Sequence, residues 1–127
     1  MPKPPLTRRE REIMDILYRR GRATAHEVLE DLADPPSYSA VRALLRLLEE
    51  RGHVKHAEDG PRYVFTPSVP RAKARRNAVK HLLQTFFDDS AGEAVASLLG
   101  LSAQKLKPEE LDKIEELIAR ARKETKP

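Results

Sequence analysis

Between Thr7 and Gly52 the chain carries three amphipathic segments, each opened by its own capping residue and each closed by glycine or proline. Thr7 with Glu10 three residues on forms an S/T-x-x-E box, in which hydroxyl and carboxylate satisfy the first free backbone N–H groups of a helix. Ile13, Ile16 and Leu17 follow on one helical face, and Gly21 supplies a stop. Thr24 with Glu27 repeats the box and predicts a short helix with Val28, Leu29 and Leu32 inward, ended by Asp34-Pro35-Pro36. A third helix is predicted to start between Ser37 and Ser39. Val41, Leu44, Leu45 and Leu48 make its apolar stripe and Gly52 ends it.

A hairpin follows at once. Val54-Lys55-His56-Ala57 and Arg62-Tyr63-Val64-Phe65-Thr66 read as strands, with Glu58-Asp59-Gly60-Pro61 as the turn. Of Tyr63 and Phe65, at least one is expected in the core. Three helices and then a hairpin is the order of a winged helix-turn-helix. The expected class is mainly α with a small β-hairpin: a winged helix-turn-helix over residues 1–70 and a helical dimerisation segment over residues 71–127.

Val69-Pro70-Arg71 reads as the joint. Beyond it, Asn77 to Phe87 carries Val79, Leu82, Leu83, Phe86 and Phe87, and Asp88-Asp89-Ser90 breaks the pattern with Ser90 as the next cap. Val95, Leu98 and Leu99 belong to a helix expected to stop at Gly100. Lys107-Pro108 opens a last helix striped by Leu111, Ile114, Leu117 and Ile118. These stripes exceed what a short helix pair buries by itself, which predicts burial against a second copy through Leu82, Phe86, Leu98, Leu111, Ile114, Leu117 and Ile118. Packing back onto the first domain is the alternative.

Charge is divided unevenly. Residues 1–76 hold 16 Lys/Arg against 11 Asp/Glu, net +5, whereas residues 77–127 hold 8 against 9, net −1. A basic first part joined to a nearly neutral second part suits a polyanion-binding head on a protein-binding tail. With its apolar stripe inward, the third helix turns Ser39, Arg42 and Arg46 to another face, stacked at spacings of three and four. In a helix-turn-helix that face enters the major groove, where arginine donates two hydrogen bonds to guanine O6 and N7. Ser37, Tyr38 and Ser39 are placed for phosphate at the helix N-terminus. On the wing, Lys55 and Arg62 are candidates for backbone phosphate contacts. The candidate DNA-binding set is therefore Thr24, Ser37, Tyr38, Ser39, Ala40, Arg42, Ala43, Arg46, Lys55 and Arg62. The cluster Arg71, Lys73, Arg75 and Arg76 reads as a solvated helix face or a further phosphate contact.

Other chemistries have no candidate residues. The chain has no cysteine, and His26, His53, His56 and His81 show no metal-ligand spacing, so no metal or cofactor is expected. His53 and His56 read as surface residues of a strand. No phosphate loop, nucleophile elbow or zincin motif is present, and no enzyme is expected. No apolar run approaches the ~18 residues of a membrane span. Met1-Pro2-Lys3-Pro4-Pro5 lacks the apolar stretch of a signal peptide, so a cytoplasmic location is expected.

In this order the residues resemble the penicillinase repressor family of bacterial regulators, the BlaI/MecI type with its copper-responsive CopY members. The resemblance covers roughly residues 5–123. It is carried by Leu6-Thr7 with Glu10, Ile13, Met14 and Leu17; by Thr24-Ala25-x-Glu27-Val28; by Ser39-Ala40-Val41-Arg42-x-Leu44-Leu45-x-x-Leu48 and Lys55; by Arg62-Tyr63-x-Phe65-x-Pro67; and by Glu109-Glu110-Leu111 to Ile118. It implies a dimeric repressor whose third helix reads a double-stranded DNA operator. Ala40 stands where the family commonly has Thr, and Leu47 where it has Arg or a similar polar residue, which implies a different operator; Ala40 suits a thymine methyl. For antibiotic-responsive members the resemblance implies a membrane sensor protease as partner, cutting at an Asn-Phe bond. The matching stretch here is Leu98-Leu99-Gly100-Leu101, and the cysteine motifs of copper-responsive members are absent. A winged helix that serves only as a protein-interaction module is the competing reading.

Overall fold

The computed structural model describes residues 5–125. The start of the proline-rich N-terminus, through Pro4, lies outside the described residues, and with it most of the stretch considered as a signal peptide. The chain forms two compact units, residues 1–78 and residues 79–127.

In the first unit, α1 (Arg8–Arg20), β1 (Ala23–Thr24), α2 (Ala25–Asp31), α3 (Tyr38–Glu50), β2 (Val54–Asp59) and β3 (Arg62–Pro67) follow in order. Both capping boxes are present: Thr7 and Glu10 close the start of α1, and Thr24 and Glu27 that of α2. Ser37 caps α3, its hydroxyl oxygen accepting from the Ala40 N–H at 3.1 Å. Gly21 takes a φ of 87° at the end of α1, a left-handed value that strains any residue with a Cβ. One face of each helix meets the others in a shared core. Ile13, Leu17, Val28, Val41, Leu45 and Leu48 are fully buried there, with Val54 and Phe65 contributed by the sheet. Leu29 and Leu44 are partly buried against its edge.

The sheet is antiparallel in the order β1-β3-β2. The turn is tighter than the four residues expected. The strands run to Asp59 and from Arg62, which pair with each other, and only Gly60 and Pro61 connect them. Gly60 has φ 64°. Pro61 cannot adopt positive φ, which excludes a type I′ turn and leaves the type II′ arrangement with glycine first. β1 was not expected at all. Ala23 pairs with Phe65 and Thr24 with Val64, so β3 is the central strand.

Two polar residues are buried here, Thr24 and Glu10. Glu10 is 1% exposed, and its carboxylate accepts from the Thr7 N–H at 2.8 Å and from Arg51 at 3.2 Å. Arg51, just past α3, thereby ties the end of that helix to the start of α1. Tyr18 on α1 donates to the Val69 carbonyl at 3.2 Å and fastens the joint.

α4 (Arg71–Phe86) begins directly at the joint, earlier than the apolar stripe from Asn77 suggests, and takes in the cluster Arg71 to Arg76. It crosses from the first unit into the second. Asp88 and Asp89, both at positive φ, turn the chain, and Ser90 caps α5 (Ala91–Ser102) as expected. α5 does not stop at Gly100. It runs two residues further, because a glycine without positive φ costs a helix only about 1 kcal/mol relative to alanine and does not end it. α6 (Pro108–Glu124) opens on Pro108, with Glu109 and Glu110 in its first turn and Arg122 and Lys123 in its last, each matched to the helix dipole. Among the described residues of the second unit, only Ala94 is buried.

Candidate nucleic-acid interface

The burial of Val41, Leu45 and Leu48 fixes the rotation of α3, and with it the identity of its outer face. At 100° per residue, Ser39, Arg42, Ala43 and Arg46 recur on the opposite side, and all four are exposed. Ser37 and Tyr38 are exposed at the N-terminus of the helix, and Ala40 is half-buried at its edge. The Ser37 oxygen accepts the capping bond, which leaves its O–H proton available to an acceptor such as phosphate.

α3, the N-terminal end of α2 and the hairpin enclose a cleft of about 740 Å³. Five of the expected DNA-binding residues line it: Thr24, Tyr38, Arg42, Arg46 and Arg62. Thr24 is 8% exposed, paired to β3 through its backbone and capping α2 through its hydroxyl. Lys55 pairs with Thr66 and, by strand alternation, lies on the face of the hairpin away from His56 and the cleft.

Residues outside that expected set complete the walls. His26 stacks on Tyr38 at 4.2 Å between ring centroids, and the Arg42 guanidinium sits 5.9 Å from the same ring. The Tyr38 ring thus restrains the arginine through cation–π attraction before any ligand arrives. His56 stacks on Tyr63 at 4.3 Å, and its Nδ1 lies 2.6 Å from a Glu49 carboxylate oxygen. Phe65 is buried while Tyr63 is half exposed, so the expected core aromatic is Phe65. A period of two from the inward Val54 leads to His56, a signal available in the sequence; the Glu49 contact is not, since it joins a helix to a strand. Behind the cleft, Arg20 forks onto Asp31 at 2.7 and 2.9 Å and reaches Glu27 at 3.0 Å. The Thr24 N–H holds the Glu27 carboxyl below the ordinary range, and the Arg20 hydrogen bonds do so for Asp31.

A family model for the penicillinase repressor matches residues 6–120, nearly the whole chain. The chain belongs to the penicillinase repressor family. The penicillinase repressor of Bacillus licheniformis is 20% identical over 117 residues, covering 91% of this chain and 90% of that one. An uncharacterized 16.5 kDa protein of Latilactobacillus sakei is 25% identical over 96 residues, covering 74% of this chain and 66% of the relative's length. Among solved structures, the hsRosR complex superposes with a TM-score of 0.58 at 17% identity, over 83% of this chain and 96% of that one. A variant of Lactococcus lactis ZitR reaches 0.50 at 22% identity, over 97% and 77%. At these identities the likeness is one of fold, and the fold is the winged helix. In this family member the matched region spans the α3 face, the cleft, α4, α5 and most of α6. Among the described residues no helix is long and apolar enough to cross a membrane.

Proposed function

We propose that this chain is a cytoplasmic transcriptional repressor that binds a palindromic double-stranded DNA operator as a homodimer. Residues 1–70 read the DNA and residues 71–127 join the two copies. The observation that carries this reading is the exposed row Ser39, Arg42, Ala43 and Arg46 on α3, beside a cleft that Arg62 also lines. A helix of this diameter fits the major groove, where Arg42 and Arg46 meet guanine edges and the alanines meet thymine methyls. Ser37, Tyr38, Lys55 and Arg62 supply phosphate contacts, which orient the head without reading sequence. Membership of a repressor family supports the same conclusion.

The exposed apolar residues of the second unit support dimerisation. Leu82, Phe86, Leu98, Leu111, Leu117 and Ile118 are exposed and Ile114 is half-buried, far more apolar surface than a free helical tail leaves in water. Two-fold pairing presents two heads to half-sites one helical turn apart, hence a palindrome. Control of this repressor departs from Asn-Phe cleavage by a membrane sensor protease, because Leu99-Gly100 stands at that place within an unbroken α5.

The test is titration of the full chain against DNA from upstream of its own gene. Binding is expected to be tight and steeply salt-dependent. Arg42→Ala and Arg46→Ala are each expected to weaken operator binding by about 1–3 kcal/mol. Unchanged affinity and selectivity in both variants overturns the assignment of α3 as the reading helix.

A further inference from the structure

The contact between Glu49 and His56 crosses from the reading helix to the wing. Glu49 lies in the last turn of α3, and His56 is the third residue of β2. The His56 Nδ1 is 2.6 and 2.7 Å from the two carboxylate oxygens, and a carboxylate only accepts, so that nitrogen carries the proton. Both side chains are about one-third exposed and both line the cleft. The imidazole is held from the other side by the Tyr63 ring, and Phe65 anchors its strand in the core. Among the described residues this is the only histidine–carboxylate contact, and it joins α3 to the hairpin.

Glu49 is an unfavourable residue for a DNA-binding face unless its charge is engaged. It stands three residues beyond Arg46, the spacing at which a helix brings opposite charges together, and Arg46 has no ion-pair partner among the described residues. A free Glu49 carboxylate therefore has two harmful options. It draws Arg46 along the helix and away from a base edge, or it faces phosphate oxygens of the same sign.

Resting on the repressor reading above, we propose that His56 is a positioning residue for operator recognition: it occupies Glu49, locks the wing to the reading helix and leaves Arg46 free for DNA. His26 lines the same cleft but stacks on Tyr38, which makes it the control for a histidine in that cleft without the Glu49 contact.

The experiment is fluorescence anisotropy of the full chain at fixed pH and ionic strength. The probes are a labelled duplex carrying its footprint and a scrambled duplex of the same length. The operator-to-scrambled affinity ratio is expected to fall about tenfold in His56→Ala, to recover when Glu49→Gln is added to it, and to stay at the wild-type value in Glu49→Gln and His26→Gln alone. A His56→Ala ratio equal to wild type overturns the proposal, as does a double variant that stays as low as His56→Ala, the mark of a merely structural lesion. A wild type without operator preference overturns the repressor reading instead, and this proposal with it.

Discussion

The two units of this chain treat their apolar residues in opposite ways. In the first, three helices and a three-stranded sheet close over Ile13, Leu17, Val28, Val41, Leu45 and Leu48, each wholly removed from water. In the second, helices of comparable length bury Ala94 alone among the described residues and leave Phe86 71% and Leu101 81% exposed. Helix formation is equally well signalled in both, by Ser90 and Pro108 as much as by Thr7 and Thr24. The difference is that the first unit supplies every surface its stripes need, whereas the second leaves most of its stripes in water. A capped amphipathic helix is thus evidence of a partner surface, and only packing tells whether that surface is in the same unit.

The contrast is sharpest in the core of the head. Leu45→Ala deletes a fully buried side chain and is expected to cost about 3 kcal/mol, read by thermal or urea denaturation. Next is Arg51→Ala, which strips the buried Glu10 carboxylate of its only charged partner among the described residues. The loss is expected near 2 kcal/mol, below the range for a fully enclosed pair because Arg51 is partly exposed. Phe86→Ala in the tail should behave otherwise. It is expected to weaken self-association about tenfold in sedimentation equilibrium while leaving the head's melting transition within about 0.5 kcal/mol. A Phe86→Ala protein that unfolds like Leu45→Ala would erase the distinction between the two units, and a monomeric wild type would remove the partner surface.

Acid titration gives the smallest effect and concerns Glu27 and Asp31 of the head. The Glu27 and Asp31 carboxyls are held low in the folded chain, so the unfolded chain binds more protons at acid pH. Their contribution is complete above the ordinary carboxylate range near pH 4 and is lost as pH falls through the depressed folded values. Arg20→Ala removes the fork on Asp31 and should flatten the acid limb of a stability-against-pH curve. An unchanged limb would show that the fork adds nothing beyond what solvent screening leaves to exposed pairs.

Local chemistry made most of the head legible. Hydroxyl-to-carboxylate spacing located two helix starts, and the Val41 to Leu48 stripe set the face that Arg42 and Arg46 occupy. What escaped has no local signature. β1 is too short for any periodicity and exists only because Phe65 and Val64 pair with it. α4 starts six residues before its stripe because polar residues propagate a helix as readily as apolar ones. Gly100 misled because glycine stops a helix through positive φ, which it does not adopt here. The cleft needed β2 and α3 side by side, so neither the His56 contact with Glu49 nor the His26 stack on Tyr38 was foreseeable from spacing.

Thr24 belongs to two elements at once: its backbone is a rung of the sheet and its hydroxyl is the first anchor of α2. No residue lies between strand and helix to take up slack. The register of β3 is therefore tied to the start of α2: a slip of one residue at Val64 or Phe65 would carry the helix cap with it, so hairpin and helix pair are indexed to each other by a single residue.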